Sequence, residues 1–123
     1  MITKNISRHE LACKCGTCGF DSMDYETIRV VQDCCDHFAE KLGFNRVVLR
    51  INSAARCYEY NRKIGSSDAS QHPKGRAIDF TIDDIPPSDV YAFLAVKYPN
   101  SYGFGNYKTF THADTRSGPA ARW

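Results

Sequence analysis

What this chain of 123 residues lacks is runs. No stretch of lysines and arginines concentrates its formal net charge of +2, so the electrostatic footprint of a nucleic-acid-binding domain is missing. With a sequence pI near 8.2, a mild attraction to anionic polymers is all that the charge allows. No segment approaches the length of a membrane span, and the opening residues MITKNISRHE lack the apolar stretch of a secretory signal, so export is expected to need another route. Internal repeats and linkers are missing too. Histidines number only four, which limits where imidazole chemistry can reside. What remains, 42% hydrophobic and 24% charged residues, suits one globular domain over 1–123 with a single modest core.

Cysteine runs against this sparseness. Six in so short a chain are compatible with a disulfide framework in an oxidising compartment. Their spacing is uneven: Cys13, Cys15 and Cys18 cluster in LACKCGTCGF, Cys34 and Cys35 are adjacent and poor partners for each other, and Cys57 stands alone. With His9 the cluster reads HxxxCxCxxC, four soft ligands in a glycine-containing loop, a pattern able to hold a structural zinc. Closed zinc sites ordinarily come as two separated CxxC-type pairs, so the pattern favours disulfides or reduced thiols over such a zinc.

Periodicity supplies the fold. Ser7 and Glu10 have capping-box spacing and predict a short helical turn. Between Asp24 and Leu42, Ile28, Val31, Cys35, Phe38 and Leu42 step by three and four, the stripe of an amphipathic helix that Gly43 ends. Residues 46–52, RVVLRIN, read as a strand, EYNRK after Cys57 as a short helix, and 86–99 as a proline-led helix with Val90, Phe93, Leu94 and Ala95 in register. SYGFGNY and KTFTHAD read as a closing strand pair. Helices interspersed with strands predict an α+β domain, a small, mostly antiparallel sheet with helices packed against one face.

Within SQHPKGRAIDF, residues 70–80, alternation begins at Arg76 and marks a strand. Ala77, Asp79 and Thr81 then share one face and Ile78, Phe80 and Ile82 the other. Pro73 and Gly75 make the preceding segment a turn able to fold His72 back beside Asp79. In TFTHADTR, Phe110, His112 and Asp114 would share a strand face. His9 and His37 have acidic neighbours and read as solvated or locally paired imidazoles. By spacing alone, a histidine on a strand is more often hydrogen-bonded than a metal ligand.

The pattern SxHxxGxAxD (Ser70, His72, Gly75, Ala77, Asp79) with a late HxD (His112, Asp114) resembles the zinc D-alanyl-D-alanine carboxypeptidase family of peptidoglycan peptidases. The likeness extends to NSAARCYEYNRKIG, YPNSYGFG and the terminal RW, and is to the short, single-domain branch of bacteria and phages, whose fold the hedgehog signalling domain shares. It implies a catalytic zinc on His72, Asp79 and His112 with one position open for water, and hydrolysis of an amide in stem peptides by a carboxypeptidase or an endopeptidase. It implies that Arg56 stabilises the oxyanion and contacts substrate, and that Ser70 binds substrate. Many relatives carry a Glu or Asp three residues before the last histidine, where this chain has Thr109. Asp114 is the nearest substitute as general base, and its other role is to orient His112. Ala54 and Ala55 replace a family-like glycine before Arg56. The expected partners are peptidoglycan peptides at the cell wall, met by a monomer. The alternative is a non-catalytic, zinc-stabilised module that binds cell-wall peptides or a protein partner, and a third role is structural, in a phage particle.

Overall fold

The computed structural model describes residues 1–123. Glu10 accepts hydrogen bonds from the Ser7 N–H at 3.0 Å and the Ser7 hydroxyl at 2.6 Å, and a 3-10 turn follows over Arg8–Leu11. Asp24 caps the longest helix by accepting the Glu26 N–H at 3.0 Å. This helix, α1, runs Tyr25–Leu42 until Gly43, at φ 71°, turns the chain left-handed. Ile28, Val31, Cys35 and Phe38 are buried as their spacing requires, but Leu42 is 38% exposed in the final turn. The buried stripe widens instead to Val30, Cys34 and Ala39, because α1 packs both on the sheet and against the helix Pro87–Lys97.

Strand β1 (Leu49–Ser53) begins three residues later than the sequence predicts, and α2 (Tyr58–Lys63) follows. Strand β2 (Ala77–Ile82), α3 (Pro87–Lys97), β3 (Gly103–Asn106) and β4 (Thr111–Asp114) occupy the predicted places. A two-residue strand, β5 (Ala121–Arg122), was not foreseen; it is too short to carry a period. The sheet order is β1-β2-β4-β3-β5, antiparallel except for the β3–β5 pair, so the expected α+β architecture holds.

The two faces of β2 divide the molecule. Ile78, Phe80 and Ile82 turn into a core shared with α1, α3, Phe104 and Ala113. Phe80 and Phe104 are fully buried, each contributing about 1.5–3 kcal/mol through apolar area removed from water. The other face carries Asp79, whose strand register sets it directly against His112, with Ala77 against Asp114. On the next strand Gly105 stands opposite His112 and Gly103 opposite Asp114.

Candidate metal centre

Three ligand-bearing residues reach one point from three directions. Asp79 and His112 are cross-strand neighbours in the middle of the sheet. His72 arrives from the 3-10 turn His72–Lys74, which ends at Gly75 with φ 69°. A Cβ at Gly75 would lie 2.6 Å from the Ser22 carbonyl oxygen, so glycine serves both the left-handed turn and the close passage of residues 22–24. His72 Nε2 lies 3.2 Å from Asp79 Oδ2 and His112 Nδ1 lies 2.8 Å from Asp79 Oδ1. One ligand atom from each of the three falls within 4.8 Å of the others.

The far nitrogen of each ring is already engaged. His72 Nδ1 donates to the Ala54 carbonyl at 2.8 Å, which leaves Nε2 as the inward atom, facing Asp79. His112 Nε2 is 2.7 Å from Asp114 Oδ2, which leaves Nδ1 as the inward atom. Such outer hydrogen bonds fix the tautomer and aim the ring of a metal-binding histidine. Burial opposes charge on Asp79, but hydrogen bonds from His112 and His72 outweigh it and hold the carboxyl well below the ordinary carboxylate range. Burial also opposes charge on His112, and Asp114 with Asp79 overcomes it to raise the imidazole pKa.

Asp114 does not face the cleft. It is completely buried behind the ring of His112, on the side away from Asp79 and His72. Arg116 binds it through Nε at 2.8 Å and Nη2 at 2.7 Å. Burial opposes its charge, yet Arg116 and then His112 bring the carboxyl down to about 2. Room for this pair comes from Gly103, where a Cβ would sit 2.5 Å from both Asp114 Oδ1 and Arg116 Nε. Thr109 lies exposed in the β3–β4 turn.

Arg56 is buried at the edge of the set, 7% exposed. Its Nη1 donates to Asn61 Oδ1 at 2.9 Å and its Nη2 to Ser53 Oγ at 2.8 Å, with Nη2 also 3.9 Å from Asp79 Oδ2. Its Nε has no partner. Burial draws the guanidinium pKa down from the ordinary arginine value, while Asp79 acts against that fall. Ser70 Oγ accepts the His72 N–H at 3.3 Å, a turn cap at the mouth of the site.

These residues line a cleft of about 260 Å³. Sequence reasoning put Phe110 on the face of His112 but missed the rest of the opposite wall: Tyr107 and Phe110 stack at 4.4 Å, and Trp123 lies with its ring 5.1 Å from that of His112 and its Nε1 donating to the Tyr107 hydroxyl at 2.8 Å. Strand β5 delivers Trp123, whose N–H bonds the Phe104 carbonyl while its own carbonyl accepts from Asn106. Gly105 leaves the space, since a Cβ there would lie 2.6 Å from Trp123 Nε1. The signal was present only as two glycines alternating in GFGN and a terminal tryptophan. His37 stacks on Phe93 at 4.1 Å, and His9 meets Ser7 Oγ at 3.2 Å, so both stand apart from the centre.

The sequence model of the family described as Peptidase M15 matches residues 4–114. The chain belongs to the Peptidase M15 family. No curated protein matches it. M15 peptidases are zinc-dependent metallopeptidases, and the donor set of this member fits zinc: two imidazoles with fixed tautomers and one carboxylate, the three-ligand complement of a catalytic centre. The match stops at Asp114, so Arg116 and Trp123 of this M15 chain lie beyond it although both line the cleft.

Proposed function

We propose that this M15 chain hydrolyses an amide bond in peptidoglycan stem peptides, as a carboxypeptidase or an endopeptidase, with zinc held by His72, Asp79 and His112. The observation that carries this reading is the convergence of those three ligand atoms in a cleft beside the buried guanidinium of Arg56. When bound there, zinc supplies a Lewis acid that polarises the scissile carbonyl and makes water nucleophilic at neutral pH. Arg56 keeps a fixed positive charge where the carbonyl oxygen becomes negative, and its desolvated setting strengthens that attraction. Its bonds to Asn61 and Ser53 hold the guanidinium in place before substrate arrives. Ser70 spends a lone pair on the His72 N–H and keeps its hydroxyl hydrogen for a substrate acceptor. The wall of Tyr107, Phe110 and Trp123 offers apolar surface to a small side chain such as that of alanine.

Asp114 acts through His112 as a positioning residue. A carboxylate buried behind the ring and bound twice by Arg116 has no path to a proton in the cleft. Among the residues lining the cleft Asp79 is the one carboxylate, and it is a ligand. That observation favours a second reading, a zinc-stabilised module that binds cell-wall peptides or a protein partner without turnover. Incubating zinc-loaded protein with intact and digested peptidoglycan, with and without chelator, and reading products by mass separates the two. Chelator-sensitive release of an amino acid or peptide is expected. Binding of fragments without any release would replace the enzyme by the binding module.

A further inference from the structure

The fold brings together four cysteines that are not together in the sequence. Cys13, Cys15, Cys18 and Cys57 place their sulfurs within 4.8 Å of one another, with Cys15–Cys18 at 3.3 Å and Cys13–Cys57 at 3.9 Å. The member that completes the group is Cys57, the N-cap of α2, and not His9. For a zinc with four sulfurs at about 2.3 Å, the edge of the tetrahedron is about 3.8 Å, and the two measured separations bracket it.

Backbone amides supply a second, independent observation. Cys15 Sγ accepts the N–H groups of Thr17 at 3.5 Å and Cys18 at 3.4 Å, and Cys18 Sγ accepts that of Phe20 at 3.4 Å. Cys13 Sγ accepts the Cys57 N–H and Cys57 Sγ the Tyr60 N–H, both at 3.4 Å. Neutral thiols are weak acceptors, so a cage in which every sulfur receives an amide is built for negative sulfur. Gly16 at φ 82° and Gly19 at φ 68° supply the left-handed turns that fold CKCGTCGF around Cys15 and Cys18.

We infer that Cys13, Cys15, Cys18 and Cys57 form a closed structural zinc site, distinct from the His72, Asp79 and His112 centre. Each cysteine enters as a thiolate, its proton leaving to solvent, and the four close the coordination sphere so that no position remains for substrate. The site fastens the first twenty residues to the segment that builds the hydrolytic centre. Residues 54–57 contain the Ala54 carbonyl that aims His72, then Arg56, then the ligand Cys57. Leu11 reinforces the junction by accepting the Ala55 N–H at 3.0 Å. A metal here therefore holds Arg56 in register with the cleft.

The test uses the whole protein and two readouts other than activity. Cobalt(II) loaded in place of zinc should give a sulfur-to-metal charge-transfer band in the wild-type protein, and that band should persist in the His72→Ala/His112→Ala variant. Metal content should be about two per chain in the wild type and about one in that variant. Cys13→Ser/Cys57→Ser should lose the band, and the wild-type band answers the question even if this variant does not fold. Absence of the band from cobalt-loaded wild-type protein would overturn the inference, as would alkylation without reductant showing the cysteines paired as disulfides. Neither result touches the peptidase reading, which stands on the imidazole centre.

Discussion

The two ligand clusters of this small domain are built by opposite means. His72, Asp79 and His112 are nitrogen and oxygen donors in a cleft, two of them fixed by strand register and all placed beside a cation and an aromatic wall. The four cysteines are sulfur donors gathered from a glycine-turned loop and the cap of a helix, each wrapped in backbone amides. The first cluster lines an open cleft, and the second gathers four sulfurs about one point. Segment 53–57 runs between them, giving Ser53, Ala54 and Arg56 to one and Cys57 to the other. The two clusters are thus joined through five residues of chain.

The largest expected effect breaks one cluster and spares the other. His72→Ala/His112→Ala should reduce hydrolysis of peptidoglycan fragments to the rate in buffer, measured by product mass, while the thermal midpoint falls far less than in Cys13→Ser/Cys57→Ser. Equal losses of stability in both variants would erase the division between a working site and a fastening site. Next comes the bridge: Arg56→Ala should lower kcat by ~10²–10³-fold through loss of the oxyanion partner. Zinc content, read by elemental analysis, should not change.

A smaller effect sharpens the role of Asp114. Asp114→Asn should weaken zinc affinity by roughly 10 to 100-fold in competition with a chelator, because the bond that aims His112 is weakened. At saturating zinc, kcat should be nearly restored. If kcat instead stays down by ~10² or more with zinc fully bound, Asp114 is the base and not the orienter.

The smallest effect lies away from both clusters and serves as the control. Burial, and then the hydrogen bond from its hydroxyl to Asp33 at 2.8 Å, pushes the Tyr98 phenol well above its ordinary value of 10.0. A raised folded-state pKa stabilises fully below that ordinary value and is lost as pH climbs through the folded one. Denaturation midpoints of the wild type should fall above pH ~10, and those of Tyr98→Phe should fall less over the same range.

How far these features could be read from the sequence follows from how each is assembled. Helix α1 was legible to its caps, because Asp24, the three-and-four spacing and Gly43 are local signals. The meeting of His72, Asp79 and His112 was legible because strand alternation put Asp79 on one face and the family likeness picked out His72 and His112. Leu42 lies in the stripe by its spacing yet stays exposed, since periodicity says which face a residue takes but not whether anything covers its last turn. The place of Asp114 behind His112 was half legible: alternation gave the shared face, but the lock by Arg116 needed the gap at Gly103. The aromatic wall depended on a strand of two residues, and the fourth cysteine lies 44 residues from the first. Contacts of that kind are made by topology, which local pattern does not carry.

The most direct test of the centre is the zinc-edge X-ray absorption spectrum of the purified, zinc-loaded wild-type protein. The expected spectrum shows imidazole scattering with nitrogen and oxygen neighbours at about 2.0–2.1 Å, alongside a separate sulfur shell at about 2.3 Å. A spectrum with sulfur neighbours alone and no imidazole would mean that His72, Asp79 and His112 do not hold zinc, and would contradict the account.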